Sequence, residues 1–162
     1  MNFSFQPDKL LFYDMNLVMP VGSRVVLVGA NGTGKSTLLR ILAGFHMIPR
    51  DAVRIFGVSP FHDFESQSQV SWIGGEFGLN LDISVAEVIR SLRMKVDQVR
   101  QAELLALLGI DAEWRMHCLS EGQRARVQIF LGLRQEKPLI LLDEVSAHLD
   151  VVMRADFLSW LK

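Results

Sequence analysis

The sequence has one cysteine, no long apolar run and almost no net charge, and each absence excludes a class of protein. With Cys118 alone the chain forms no internal disulfide and suits a reducing compartment, and we expect this thiol to be a small buried side chain. No apolar run approaches the roughly 18 residues that cross a bilayer. The N-terminus lacks the basic head and apolar stretch of a secretory signal. We therefore expect a soluble, intracellular protein that could still bind a membrane protein.

Length and charge point to one ordinary globular domain. The chain has 162 residues, of which 49% are hydrophobic and 22% are charged, so it can bury a proper core. Its formal net charge of −1 gives no electrostatic reason to expect a nucleic acid or a membrane surface as a direct partner. No internal repeat, low-complexity tract or linker interrupts the chain.

Short β-branched or aliphatic runs alternate with amphipathic helical patterns. Strands are predicted at residues 24–28, 53–56, 70–73 and 139–142. Helices are predicted from the end of the glycine-rich segment to Gly44, over most of 84–108, and from about 121 to 134. The continuous apolar run at 139–142 suits a strand buried on both faces of a parallel sheet. The order predicts an α/β fold with a mainly helical insertion in its middle.

A glycine-rich segment between the first predicted strand and the first predicted helix fits the phosphate-loop pattern G-x-x-x-x-G-K-[ST]. The segment consists of Gly29, Ala30, Asn31, Gly32, Thr33, Gly34, Lys35, Ser36 and Thr37. Its glycines let backbone N–H groups approach phosphate oxygens, Lys35 adds a positive charge, and the Ser36 hydroxyl can ligate Mg²⁺. The alternative, a glycine-rich turn with an unrelated lysine, leaves the flanking strand and helix unexplained. The segment predicts nucleotide binding.

Two carboxylates end the last predicted strand. Asp143 and Glu144 follow the apolar run 139–142, and ligands of open α/β sheets gather at the C-terminal ends of parallel strands. Asp143 is placed to hold Mg²⁺, usually through water, and Glu144 to orient or deprotonate an attacking water. The alternative is a pair of exposed acids that begin a loop.

The stretch Leu119-Ser120-Glu121-Gly122-Gln123 opens the third predicted helix. Ser120, followed three residues later by Gln123, satisfies the capping-box pattern, and Gly122 keeps the first turn open to close approach. A helix N-terminus with a hydroxyl is also an anion site. Taken alone, the stretch is better explained by helix capping.

The order of these motifs resembles that of ATP-binding cassette (ABC) ATPases: a phosphate loop, a helical insertion, LSEGQ, and then the Asp-Glu strand. LSEGQ is similar to the LSGGQ signature of that family, and residues 143–150 resemble its Walker-B glutamate followed by the D-loop. Phe5 lies where the family places an aromatic that stacks on adenine. The resemblance implies a P-loop NTPase core with a mainly parallel sheet and a helical signature subdomain, with ATP and Mg²⁺ as cofactors.

The resemblance also implies a composite site in a head-to-tail dimer, with a second copy or with another ABC domain. Ser120, with Gly122 and Gln123, would face the γ-phosphate held by Lys35 of the other subunit. Glu144 would be the catalytic glutamate. Within the single ABC domain, residues 1–76 and 136–162 would form the catalytic core and about 77–135 the signature subdomain. Asp150 would lie at the dimer seam.

A particular branch is similar in finer detail. Residues 114–117, residues 124–128, Val145 in place of the usual proline, and residues 73–76 look like the soluble, transporter-free eukaryotic branch related to the yeast Ccr4-associated factor. This likeness implies a regulatory ATPase with a protein partner in a transcription-regulatory complex, in the cytoplasm or nucleus. The alternatives are the ATP-binding subunit of a membrane transporter and a nucleotide-binding module with little or no hydrolysis. A nucleotide kinase is the remote alternative, because it leaves LSEGQ unexplained.

Two positions depart from the family pattern. Gly75 stands where the family has its Q-loop glutamine, and the neighbouring Glu76 could supply an oxygen to Mg²⁺ or be an exposed loop acid. Glu121 replaces a signature glycine. We expect its carboxylate to point to solvent and to suit the helix dipole.

The end of the chain is the largest departure. The family carries a switch histidine roughly 30 residues beyond the catalytic glutamate, whereas this chain stops 18 residues after Glu144, at Lys162. All four histidines precede Asp150: His46, His62, His117 and His148. The expected fold lacks the strand after Walker B, which in the family lies between the phosphate-loop strand and the Walker-B strand. The sequence therefore predicts a truncated cassette with unpaired strand edges, lower stability and deficient hydrolysis.

Overall fold

The structure is a computed structural model that describes residues 1–6, 9–92 and 96–162. The chain divides into two compact units, Met1–Val70 and Ser71–Lys162. Each unit is described by itself.

The first unit combines a hairpin with two helices. The antiparallel hairpin consists of β1 (Phe3–Gln6) and β2 (Lys9–Phe12), and the helices are α1 (Lys35–Leu42) and α2 (Glu65–Gln69). The buried apolar side chains of this unit are few: Leu38, Ile41, Leu42, Ile48 and Ile55. Three of them lie on α1, so this helix supplies most of the unit's core.

Helix α1 ends at the predicted glycine. Gly44 has φ +79° and donates its N–H to the carbonyl of Ile41 at 3.0 Å. The N–H of Phe45 reaches back to the carbonyl of Arg40 at 2.9 Å. These two bonds form a Schellman motif, which needs a residue that tolerates positive φ. The predicted end of the helix is therefore confirmed.

The predicted strand at residues 24–28 is wrong. This described segment pairs with no strand of the described chain, and Val26 and Val28 are 83% and 91% exposed. A β-branched run becomes a strand only where a neighbour receives its backbone hydrogen bonds. In the described chain the segment 24–28 belongs to no sheet, so its β-branched residues do not make it a strand.

The predicted strand at residues 53–56 is also wrong. Ile55 and Val58 form an isolated bridge, with N–H to carbonyl distances of 2.8 and 3.0 Å. Between them Phe56 and Gly57 have φ of +49° and +89°. Two consecutive positive φ values define a tight reverse turn, so the chain reverses before a strand can extend.

The second unit places two neighbouring strands at its centre. The strands are β3 (Val70–Gly74), whose first residue ends the first unit, and β4 (Leu139–Asp143). Between them the chain forms α3 (Val85–Ser91), α4 (Gln98–Leu107), a 3₁₀ turn (Met116–Cys118) and α5 (Glu121–Leu133); α6 (Val151–Trp160) follows β4. The predicted strands at 70–73 and 139–142 and the predicted helix from 121 are confirmed. In the described part of the chain, no helix is long and apolar enough to cross a bilayer.

The predicted helical stretch at residues 84–108 forms α3 and α4. Residues 93–95 of that prediction lie outside the described residues. Asp97 caps α4 by accepting the N–H of Val99 at 2.8 Å. An aspartate at this position accepts a hydrogen bond from one of the backbone N–H groups that have no partner within the helix.

The core of the second unit joins β3 to its helices. Fourteen buried apolar side chains form one cluster: Ile73, Val85, Val88, Leu104, Leu108, Ile110, Met116, Leu119, Val127, Ile129, Phe130, Leu133, Leu149 and Phe157. Cys118, expected to be buried, is exposed. In the 3₁₀ turn, residues two apart point in different directions. The side chain of Met116 is therefore buried in the core, and that of Cys118 faces outward.

Helix α3 begins with a capping box that the sequence prediction missed, although its Ser-x-x-Glu pattern is visible. Ser84 donates its N–H to the Glu87 carboxylate at 2.6 Å, and the Ser84 hydroxyl accepts the N–H of Glu87 at 3.2 Å. The bond from the Ser84 backbone lowers the pKa of the Glu87 carboxyl, and the Ser84 hydroxyl adds to this effect. A hydrogen bond to the charged form favours that form.

We expect Glu87→Gln to lower the thermal midpoint by a few degrees near neutral pH and by less near pH 3.5. Because the folded-state pKa lies below the ordinary value of 4.5, the carboxylate stabilises the fold above pH 4.5. That contribution is lost as the pH falls through the lower folded value. Thermal unfolding of both proteins at the two pH values measures the difference. The exposed Glu103→Gln is the control, and a difference that persists unchanged in acid would contradict the expectation.

Candidate nucleotide-binding site

The phosphate loop has the backbone shape that its glycines allow. Gly32 and Gly34 have φ of +81° and +96°, a region open mainly to glycine. The Thr33 hydroxyl donates to the carbonyl of Ala30 at 2.9 Å and braces the loop from within. A side chain at Gly34 would lie 2.9 Å from the ring of Phe12, so β2 packs directly against the end of the loop.

Lys35 lies over the loop that precedes it. Its ammonium donates to the carbonyls of Gly29 and Ala30, both at 2.9 Å. An ammonium has three donors, so these two bonds hold the charge at the loop and leave one donor. Helix α1 begins at Lys35, with Ser36 and Thr37 half-buried in its first turn. Asn31 is exposed at the tip of the loop. One positive charge and a helix N-terminus therefore meet at this loop.

Phe5 belongs to an aromatic cluster in the first unit. Its ring is 5.1 Å from Phe3 and 5.4 Å from His46, both in edge-on geometry. Two edge-on neighbours fix the ring, although the Phe5 side chain as a whole is 64% exposed. His46 was not predicted to belong to this cluster, because no local pattern links it to Phe5.

The two acids at the end of β4 differ in backbone conformation. Asp143 is the last residue of the strand and is half-buried. A side chain at Gly74 would lie 2.6 Å from its Cβ, so the end of β3 touches the aspartate. Glu144 has φ +55°, a conformation that a non-glycine residue rarely adopts and that occurs often at functional sites.

The backbone after β3 accounts for the missing Q-loop glutamine. Gly75 has φ +69°, where a glutamine would be strained. The side-chain amide of Gln128 on α5 donates to the carbonyls of Gly74 at 3.0 Å and Gly75 at 3.4 Å. Gln128 was not among the predicted site residues, since no sequence motif marks it. The neighbouring Glu76 is exposed.

The predicted capping box at LSEGQ is confirmed. The Ser120 hydroxyl accepts the N–H of Gln123 at 3.2 Å, and the Gln123 side chain accepts the N–H of Ser120 at 3.0 Å. Ser120 and Glu121 are both exposed, as expected for Glu121. A side chain at Gly122 would lie 3.4 Å from the carbonyl of His148. The signature turn, residues 119–123, therefore lies beside the D-loop of its own chain, which follows Glu144.

Asp150 and Arg154 hold the D-loop onto α6. Asp150 caps α6 by accepting the N–H of Met153 at 2.9 Å. The guanidinium of Arg154 donates to the carbonyl of Ser146 at 3.1 and 2.8 Å and to that of Leu149 at 3.4 Å. Arg154 was not predicted to act here, because its partners are loop carbonyls.

The predicted residues fall into two groups. The second unit brings together Asp143, the Gly74–Gly75 turn, the signature turn and the D-loop, through the contacts given above. The first unit contains the phosphate loop and Phe5. Within residues 1–6, 9–92 and 96–162, no group of three or more His, Cys, Asp or Glu side chains could hold a metal ion.

Comparison with known proteins identifies the family. The profile described as "ABC transporter" matches residues 12–147. The chain is 42% identical over 175 residues to ABC transporter I family member 21 of Arabidopsis thaliana, covering 100% of this chain and 62% of that protein. The chain therefore belongs to the ABC family, and it is an ATP-binding domain of the P-loop ATPase class with an α/β fold.

Two further comparisons agree. CCR4-associated factor 16 of Saccharomyces cerevisiae is 37% identical over 167 residues, covering 92% of this chain. The dimeric structure of MJ0796, a bacterial ABC transporter cassette, matches with a TM-score of 0.77 at 22% identity, covering 99% of this chain and 77% of that chain. The structural match shows the fold. The chain spans 62% and 58% of the lengths of its Arabidopsis and yeast relatives.

We expect Gly74→Ala to destabilise the protein by about 1–3 kcal/mol, because the added methyl group would force β3 away from Asp143. Chemical unfolding followed by circular dichroism measures the loss. Gly78→Ala is the matched control, since a side chain there would meet no atom within 4 Å. Equal effects of the two substitutions would show that the contact between Gly74 and Asp143 is not tight.

Proposed function

We propose that this protein binds Mg·ATP and hydrolyses it between two ABC domains arranged head to tail, as a soluble regulatory ATPase. The observation that carries the proposal is the phosphate loop, where the Lys35 ammonium and the N-terminus of α1 converge. Backbone N–H groups and a lysine at such a place attract the β and γ phosphates of a nucleotide.

Residues that fit Mg²⁺ are present in both units. Ser36 is the second residue of α1 and Asp143 is the last residue of β4, and hydroxyl and carboxylate oxygens are the ligands that Mg²⁺ prefers. The absence of a larger acidic or histidine cluster in the described chain suits a cation that takes most ligands from phosphates and water. Bound Mg²⁺ would neutralise charge on the phosphates. Glu76 is a weaker candidate, because it is exposed and no residue of the described chain holds it in place.

Phe5 is the proposed adenine platform. Its ring is fixed by Phe3 and His46 yet largely exposed. An exposed, immobilised ring can stack on a base at little entropic cost.

Glu144 is the proposed general base. It follows Asp143 directly, and its left-handed backbone ends the extended course of β4. A carboxylate that accepts the proton of the attacking water would aid in-line attack on the γ-phosphate.

The signature turn is the proposed contribution of the opposite subunit. Ser120, Gly122 and Gln123 lie at an exposed helix N-terminus that would suit a γ-phosphate. Asp150 caps the start of α6, at the end of the D-loop. The bacterial cassette of similar fold is dimeric, which supports an assembly of two domains. The partner is a second copy or another ABC domain.

The regulatory role rests on the likeness to CCR4-associated factor 16. We infer a protein partner in a transcription-regulatory complex, and a cytoplasmic or nuclear location. The alternative is the ATP-binding subunit of a membrane transporter, which the family description favours. Affinity purification of the tagged protein from detergent-solubilised cells distinguishes the regulatory role from the transporter role. An integral membrane protein recovered in stoichiometric amount supports the transporter role, and the absence of such a protein supports the regulatory role.

A nucleotide-binding module without useful hydrolysis is the remaining alternative. Gly75 supplies no side chain at the Q-loop position. A group that assists hydrolysis in the family is therefore absent at this position. Nucleotide binding and turnover therefore need separate experiments.

We expect Lys35→Ala to weaken ATP binding by about 10- to 100-fold, because charge-assisted hydrogen bonds to phosphate are among the stronger ones. Calorimetric titration with ATP and Mg²⁺ measures the affinity. Arg40→Ala is the control, because it removes one positive charge from the same helix at its other end. Unchanged affinity in Lys35→Ala would contradict nucleotide binding at this loop.

We expect Glu144→Gln to lower ATP turnover by about 100-fold or more, the usual contribution of a general base, while ATP still binds. Phosphate release measures turnover, and sedimentation measures dimer formation, which ATP should promote in the slow variant. The exposed Glu113→Gln is the control for loss of a carboxylate. Turnover in Glu144→Gln equal to that of the unchanged protein would show that Glu144 does not act as the base.

A further inference from the structure

The side chain of Gln128 connects α5, the signature helix, to the turn after β3. Gln128 lies in the second turn of α5, and its amide nitrogen donates to the carbonyls of Gly74 at 3.0 Å and Gly75 at 3.4 Å. An amide nitrogen has two donors, so one side chain can satisfy both carbonyls. The contact is partly buried and joins residues more than 50 positions apart in the sequence.

The turn that Gln128 holds touches Asp143. A side chain at Gly74 would lie 2.6 Å from Asp143 Cβ and 3.1 Å from the Asp143 carbonyl oxygen. Gly75, with φ +69°, then turns the chain away from the strand. A rotation of the Gly74–Gly75 peptide would therefore press on the aspartate, because the two backbones have no space between them.

Helix α5 does not need Gln128 in order to pack on β3. The Ser71 hydroxyl donates to the carbonyl of Gly132 at 2.5 Å, at the other end of the contact. A side chain at Gly132 would lie 2.4 Å from Ile73, so helix and strand are already in close contact there. The specific contribution of Gln128 is therefore the orientation of the Gly74–Gly75 peptide.

We propose that Gln128 is a positioning residue that couples the signature helix to the Gly74–Gly75 turn and, through it, to Asp143. A movement of the signature helix would reach the metal-binding aspartate through two hydrogen bonds and one backbone contact. This inference rests on the proposed ATP hydrolysis, since Asp143 matters to turnover only if the protein hydrolyses ATP. It adds a residue that touches neither nucleotide nor metal.

The test compares Gln128→Met and Gln128→Glu with Ser71→Ala. Methionine keeps the length and loses the donor, and glutamate keeps the shape but presents only acceptors at neutral pH. Ser71→Ala removes a different side-chain hydrogen bond between β3 and α5, the one to Gly132, and leaves the turn unchanged. We expect both Gln128 variants to lower kcat by about tenfold or more with KM for ATP within about twofold, because small displacements at a reacting centre cost rate more than binding. Ser71→Ala should keep kcat.

A structural role for Gln128 predicts a different result. If Ser71→Ala lowers kcat as much as the Gln128 variants do, or if folded Gln128 variants keep full kcat, the proposal is wrong. Thermal unfolding of all three variants identifies the folded ones, and Gln128→Glu serves where Gln128→Met does not fold.

Hydrogen exchange separates failure of this inference from failure of the proposed function. If the unchanged protein releases no phosphate from ATP, hydrolysis is disproved, and the coupling is judged by exchange alone. Faster exchange at residues 75–78 in the Gln128 variants than in Ser71→Ala supports the coupling. Equal exchange in all of them overturns it.

Discussion

The close packing of α5 on β3 is the contact on which the second unit depends. It requires Gly132, since any side chain there would overlap Ile73, itself fully buried in the unit's core. With the helix this close, Ser71 and Gln128 reach backbone carbonyls across the interface directly. One absent side chain thus allows the helix that begins at the signature turn to lie directly on β3.

Around this contact, arginine side chains stabilise the loops through hydrogen bonds to backbone carbonyls. Arg126 on α5 donates to the carbonyls that end α4, at 3.3 and 3.4 Å, while its guanidinium lies over Trp114. Arg124 donates to the carbonyl of Leu79 at 3.3 Å, and Arg154 ties the D-loop to α6. Backbone carbonyls in loops need donors when partly buried, so these side chains make the loops of the site ordered parts of the fold.

Local patterns could be predicted from the sequence, and contacts between distant residues could not. The end of α1 at Gly44 and the capping box at Ser120 each involve neighbours in sequence, and each takes its predicted form. The predicted strand at 24–28 failed because a strand depends on a partner that its own residues do not specify. Gln128 escaped prediction for the same reason, since its partners are carbonyls more than 50 positions away.

Helix capping and phosphate binding by LSEGQ are compatible, although the sequence presents them as alternatives. In the capping box the Ser120 oxygen accepts the N–H of Gln123, which uses a lone pair and leaves the hydroxyl hydrogen to donate. The cap fixes the rotamer of Ser120, so an incoming anion meets a donor that is already oriented and loses little entropy on binding. Gly122 keeps the approach open, while Glu121 in the same turn faces solvent. A turn held by its own cap is therefore better suited to an anion than a flexible one would be, and its helix start supplies the remaining N–H donors.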